Sequence, residues 1–177
     1  KLNTYIIMKK ILLSMIAMMT MGLAMAQNAK LPDNVTIKNL DGQSVQTSAL
    51  QNDGKPMIIS FWATWRKPCN RELNTIKEVY EDWQEETGVK LIAISIDDAR
   101  SAGRVKPHVN GNDWPYEVYI DQNQDFKRAM NVVNVPHTFI VNGEGEIVWQ
   151  HTSFVEGSED ELLEIVKKVA KGEPIEE

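Results

Sequence analysis

Cys69, the only cysteine of this 177-residue chain, ends the turn Arg66-Lys67-Pro68-Cys69 and stands three residues before Glu72. A lone sulfur can act as a thiolate or lie packed and inert, but it cannot close a disulfide within its own chain. Pro68 presets φ for a first helical turn and loses nothing there by lacking an N–H. Cys69 is therefore predicted in the first turn of a helix, where unpaired N–H groups and the positive dipole end favour a thiolate. Arg66 and Lys67 push the same way. Burial pushes the opposite way, and free cysteine is among the most commonly buried residue types, so the sequence leaves both outcomes open. Glu72 falls on the same helix side as Cys69 and reads locally as a first-turn acid favoured by the dipole, or as a partner for Arg66. Trp62 and Trp65 flank the turn and, on physical grounds alone, are packing residues. Asp97-Asp98 has no histidine or third acid nearby, so it reads as a turn and helix N-cap rather than a metal site. His108 has no second ligand at recognisable spacing and reads as a surface residue. No metal or cofactor is expected.

The elements that must hold this turn are readable around it. Met57 to Ala63 is a short apolar run of the kind buried on both faces of a sheet. From Cys69, the residues Leu73, Ile76, Val79, Tyr80 and Trp83 mark one apolar face of a helix that stops near Gly88. Val89 to Ile96 reads as a second buried strand, Arg100 to Val109 as a helix, Tyr116 to Ile120 as a third strand, and Gln124 to Asn131 as a short helix. Thr138 to Val141 and Glu146 to Gln150 form a hairpin across Asn142-Gly143-Glu144-Gly145. The closing helix, Ser158 to Lys171, opens on a capping box of Ser158 and Glu161. Upstream, Asn34 to Lys38 and Ser44 to Thr47 make a hairpin across Asp41-Gly42, with a helical turn at Ser48 to Gln51 and a loop at Asn52 to Pro56. The fold class is α/β, a mixed central sheet flanked by helices.

The stretch Phe61-Trp-Ala-Thr-Trp-Arg-Lys-Pro-Cys69 resembles the Trp-Cys-x-x-Cys active site of thioredoxin-fold disulfide oxidoreductases, in particular the TlpA/ResA type. Where that pattern carries its first, nucleophilic cysteine this chain has Arg66; Cys69 matches the second, resolving one. The resemblance implies a thioredoxin fold with an N-terminal β-hairpin extension. It implies that Glu72 is a proton acceptor near the resolving thiol, and that Trp62 and Trp65 form a shelf for substrate. Val132 to Val141 is similar to the cis-proline loop, which implies a cis Pro136 and a Val135 backbone offering unpaired groups to an extended segment. A peroxidatic Pro-x-x-x-Thr-x-x-Cys approach is not met, since Arg66 stands three residues before Cys69.

With 42% apolar and 25% charged residues, the chain fits one globular domain, and a net charge of −6 argues against tracking of nucleic-acid phosphates. Residues 1–7 read as upstream translated sequence and 8–26 as a signal peptide: Met8-Lys9-Lys10, an apolar core from Ile11 to Leu23, and a small-x-small site at Ala24-Met25-Ala26. Residues 27–177 are then one thioredoxin-like domain in the periplasm or secreted, off the membrane after cleavage. The implied partners are periplasmic protein thiols and disulfides, with a membrane electron donor, in cytochrome c maturation or general thiol reduction. Both sulfurs are needed for turnover of a disulfide. Two readings follow: an oxidoreductase impaired at Arg66, or a non-catalytic binding module that uses the Pro136 groove.

Overall fold

The computed structural model of the protein describes residues 28–175. The signal-peptide reading of 8–26 and the upstream residues 1–7 lie outside them. The centre of the molecule is strand β3 (Met57–Trp62), every residue of which is buried. It pairs in parallel with β4 (Lys90–Ser95) and antiparallel with β6 (His137–Val141). An apolar run with no polar alternation is what a strand covered on both faces requires. The hairpin of β1 (Thr36–Asn39) and β2 (Ser44–Gln46) lies beyond β5 (Glu117–Ile120), and β7 (Ile147–Thr152) closes the other edge. The seven-stranded order is β2-β1-β5-β4-β3-β6-β7. The mixed sheet, the N-terminal hairpin and the flanking helices match the expected α/β class.

Helix α1 (Lys67–Lys77) follows β3 directly and seats Cys69, Glu72, Leu73 and Ile76 inward. The single helix expected to run to Gly88 is instead two. Glu78 and Val79 interrupt it, with Val79 at φ −121°, ψ 0°, before α2 (Tyr80–Thr87) ends on left-handed Gly88. Three-residue bonds from Glu78 to Thr75 and from Val79 to Ile76 tighten the chain there. Beyond the break, the Tyr80 hydroxyl accepts the Leu91 N–H of β4 at 2.8 Å.

The helix expected over Arg100–Val109 starts later. A 3₁₀ turn at Ala102–Arg104 leads into α3 (Val105–Asn112), because Asp98 first ties up the Arg100 N–H in a local turn at 3.0 Å. Helix α4 (Asp125–Ala129) is short, and α5 (Ser158–Ala170) closes the chain. The capping box of Ser158 and Glu161 does not form. Gly157, at φ 94°, is the cap residue, and the Ser158 hydroxyl donates to the Val155 carbonyl at 2.7 Å. The three-acid first turn Glu159-Asp160-Glu161 still suits the dipole. The 3₁₀ turn near residue 48 falls at Thr47–Ala49.

One tight backbone approach locks the β6–β7 hairpin onto the loop before β3. A Cβ at Gly143 would lie 2.1 Å from the Gly54 carbonyl oxygen, whereas one at Gly111, within α3, would meet open space. Gly143→Ala is expected to cost about 1–3 kcal/mol and Gly111→Ala to gain about 0.5 kcal/mol. Urea denaturation of the two variants checks both signs.

Candidate active site

The turn from β3 into α1 is held by groups far apart in the chain. Asp97, fully buried just past the end of β4, accepts the Thr64 N–H at 2.9 Å, the Thr64 hydroxyl at 2.6 Å and the Ser95 hydroxyl at 2.8 Å. Asn70 continues the network, donating to the Thr64 carbonyl at 3.2 Å and meeting His108 Nε2 at 2.7 Å. Asp97 is therefore an anchor of this turn and no cap. His108 is half-buried beside Trp62 and Trp114, with ring centroids 5.5 and 5.4 Å away, and is no surface residue. Burial holds its pKa below the ordinary histidine value, against the opposing charge of Asp97. Asp97 sits at the carboxyl end of a parallel strand, where open α/β sheets build their sites, and that position is the signal that could have marked it.

Arg66 is the residue before the first turn of α1, and its side chain makes no cap there. Its guanidinium Nε instead donates to the Val135 carbonyl at 2.5 Å, across the gap between α1 and the start of β6. The Val135–Pro136 peptide is cis, as the resemblance implied. The Val135 carbonyl, however, does not stand unpaired toward an incoming segment: Arg66 occupies it. Val135 and Pro136 are themselves buried. Of the two tryptophans, only Trp65 lies on the rim, 61% exposed. Trp62 is fully enclosed, edge-on to Trp114 at 4.8 Å, and cannot be a substrate shelf. The signal that separates them was in the sequence: the apolar run Met57 to Ala63, read as buried on both faces, includes Trp62 and excludes Trp65.

Cys69 has no exposed surface. Burial pushes its thiol up to about 12; the Ala63 backbone and Arg66 pull it down, and Glu72 adds to the rise. The contest left open by the sequence is thus won by desolvation over the cations and the helix end. Glu72, 3% exposed, is seated on the inner face of α1 with Oε1 accepting the Thr138 hydroxyl at 2.6 Å. Oε2 has no partner among the described residues. Burial lifts this carboxyl to about 7, the Thr138 bond opposing. Thr138 on β6 is a functional neighbour that sequence reasoning missed, since 66 residues separate it from Glu72. Among the described residues no group of three or more His, Cys, Asp or Glu could hold a metal. The arrangement as it stands can store a proton at Glu72 near neutral pH and keeps Cys69 a neutral thiol.

Residues 26–150 match the AhpC/TSA family. The chain is 30% identical over 143 residues to the thiol-disulfide oxidoreductase ResA of Bacillus anthracis, covering 81% of this chain and 79% of that one. It is 56% identical to an uncharacterized thioredoxin-like protein from Porphyromonas gingivalis, whose solution structure superposes with a TM-score of 0.72 over 82% of this chain and 94% of that one. A putative thiol:disulfide interchange protein DsbE from Chlorobium tepidum shares the fold at 21% identity and a TM-score of 0.68, over 83% of this chain and 99% of that one.

Two measurements check the electrostatics of the site. A thiol at about 12 carries on the order of 10³-fold less thiolate at pH 8 than one at its ordinary 9.0, so iodoacetamide is expected to label folded Cys69 at least that much more slowly than the guanidinium-unfolded chain. Equal rates by mass spectrometry would contradict the burial. Glu72 binds its proton more tightly when folded, with a value of about 7 against 4.5, so its stabilising term is full below pH 4.5 and is lost as pH rises through 7. The loss amounts to about 3 kcal/mol. Glu72→Gln is expected to abolish that fall between pH 4.5 and 8 in urea titrations, leaving the variant the more stable of the two at pH 8.

Proposed function

From the premise that the chain belongs to the AhpC/TSA family, with ResA-type thiol-disulfide oxidoreductases as relatives, we propose that it is a member impaired in redox turnover. The observation that carries this reading is the state of its one sulfur. Cys69 is enclosed and held as a neutral thiol, and the residue three before it, at the exposed N-terminal edge of α1, is Arg66. Disulfide exchange proceeds by attack of an accessible thiolate, then displacement by a second sulfur. A guanidinium can do neither, and Cys69 lacks both the access and the charge to make the first attack.

The rest of the reading concerns place and partners. Its substrates are disulfides or thiols of other proteins, in the periplasm or secreted space, in cytochrome c maturation or general thiol reduction, with electrons from a membrane donor. The basic, apolar and small-x-small pattern of residues 8–26 supports export. In this reading Trp65, Val135 and Pro136 border the substrate, and Glu72, whose negative charge raises the Cys69 thiol further, would serve as proton acceptor only with a second sulfur restored at position 66. A second reading, a binding module without turnover, is favoured by one observation: Trp65 and Val133, 61% and 79% exposed, leave apolar surface near the Val135–Pro136 loop. A partner pairing with the Val135 carbonyl would have to displace Arg66 first.

Insulin reduction by the chain and by Arg66→Cys separates these. The introduced thiol would stand at the helix N-terminus, where thiolates are favoured. The expected result is no turnover above dithiothreitol background for the natural chain and at least a tenfold gain for the variant. A well-folded Arg66→Cys protein with no activity would sink the impaired-enzyme reading in favour of the binding module.

A further inference from the structure

The site leaves two buried polar atoms without partners among the described residues that belong to one another by position: Glu72 Oε2 and His151 Nε2. Both residues line the same small cavity between α1, β6, β7 and α5, about 10 Å³ in volume and walled by Ile76, Thr138, Trp149 and Phe154. That is room for about one water. The sheet register brings them there. His151 on β7 pairs directly across from Thr138 on β6, and Thr138 is the residue that holds the other oxygen of Glu72. Directly opposed residues have side chains on one face, about 5 Å apart at Cβ. Trp149, two residues before His151, faces the same way and stacks on it at 5.7 Å, fixing the ring. An orphaned carboxyl oxygen and an orphaned imidazole nitrogen facing one water-sized space are complementary as proton donor and acceptor.

We propose that Glu72 and His151 form a proton-sharing pair across this cavity, so that the buried carboxyl exchanges its proton with solvent through the β7–α5 side of the molecule and not through the Arg66–Cys69 turn. The transfer is a proton movement only: carboxylic acid and neutral imidazole become carboxylate and imidazolium, one water relaying the proton, with no electron passed. His151 is partly exposed and can release the proton outward. The other titratable groups near the pair are Cys69 on α1, Tyr116 beside β5 and Glu159 on α5; His137 on β6 lies on the opposite face of the sheet, where it meets Gln150 at 3.0 Å, and only its charge reaches His151. Glu159 is engaged with the Gly157 N–H at 2.9 Å, so it is not the partner that Glu72 lacks. The inference goes beyond the redox reading, since proton exchange at Glu72 needs no disulfide turnover.

The test is a carbon-detected NMR titration of the Glu72 carboxyl and the His151 ring in the natural chain, in His151→Gln and in Glu72→Gln. In the natural chain both signals are expected to show the same two midpoints, as coupled groups do. His151→Gln removes a neighbouring cation that favours the carboxylate, so Glu72 should titrate in one step, with its midpoint raised by about half a pH unit or more. Glu72→Gln should reduce His151 to one step. A Glu72 midpoint unmoved by His151→Gln, with native amide dispersion, overturns the proposal. If that variant fails to fold, unrelated midpoints for the two groups in the natural chain overturn it equally.

Discussion

The inner face of α1 is pressed onto β3 and β6 with two titratable side chains on it, and the cost of keeping their charged forms dry shapes the whole site. Cys69 and Glu72 share that face with Leu73 and Ile76, all inside. Burial disfavours the anion in each case, lifting the thiol to about 12 and the carboxyl to about 7. A site whose two acids are held toward neutrality offers no fixed anion at Cys69 for a neighbouring cation. Arg66, at the edge of this face, accordingly meets a carbonyl dipole, that of Val135, and not a thiolate. Its position next to the positive end of α1 disfavours it by about 0.3–1 kcal/mol. A charge-assisted hydrogen bond contributes enough to offset that.

The same turn does not depend on a pair of sulfurs for its shape. Asp97 grips Thr64 through both carboxylate oxygens, Asn70 grips the Thr64 carbonyl, and His108 meets Asn70 from α3. These bonds join the ends of β3 and β4 to the start of α1, while the fully buried strands beneath supply the apolar area. A disulfide across so short a loop adds little by constraining the unfolded chain. The scaffold and the chemistry are thus carried by different residues, so the fold alone does not decide activity.

What was legible in the sequence follows the range of the interactions. The step from β3 into α1 is local: a continuous apolar run, then a proline, then a helical period, and it formed where expected. The hairpin at Asp41-Gly42 is local as well, its turn closed by Asn39 accepting from Asp41 and Gln43. The roles of Asp97, Thr138, His108 and His151 were not legible, because each is defined by a partner brought in by strand register or helix packing. Arg66 and Val135 stand 69 residues apart, and Glu72 and Thr138 stand 66 apart. The break at Glu78–Val79 was missed for a related reason: Val79 and Tyr80 keep the apolar period whether the helix runs through or is interrupted. Periodicity reports which face is buried, not whether the axis bends.

Position 66 shows why a near-complete motif can leave activity undetermined. An arginine there is compatible with every packing contact described, because the side chain leaves the helix edge outward and meets the start of β6 at its surface. Had the residue pointed inward, a permanent charge would have faced the same dry interior that neutralises Cys69, and the turn would have had to open. The fold thus accommodates an arginine at this point, while exchange chemistry requires a sulfur there. Glu72 is constrained in the opposite way. Its carboxyl is buried on the inner face of α1, with the Thr138 hydroxyl on one oxygen and no partner for the other among the described residues. Burial of this carboxyl is a cost that its one bond to Thr138 only partly opposes, and the pairing proposed with His151 would offset more of it.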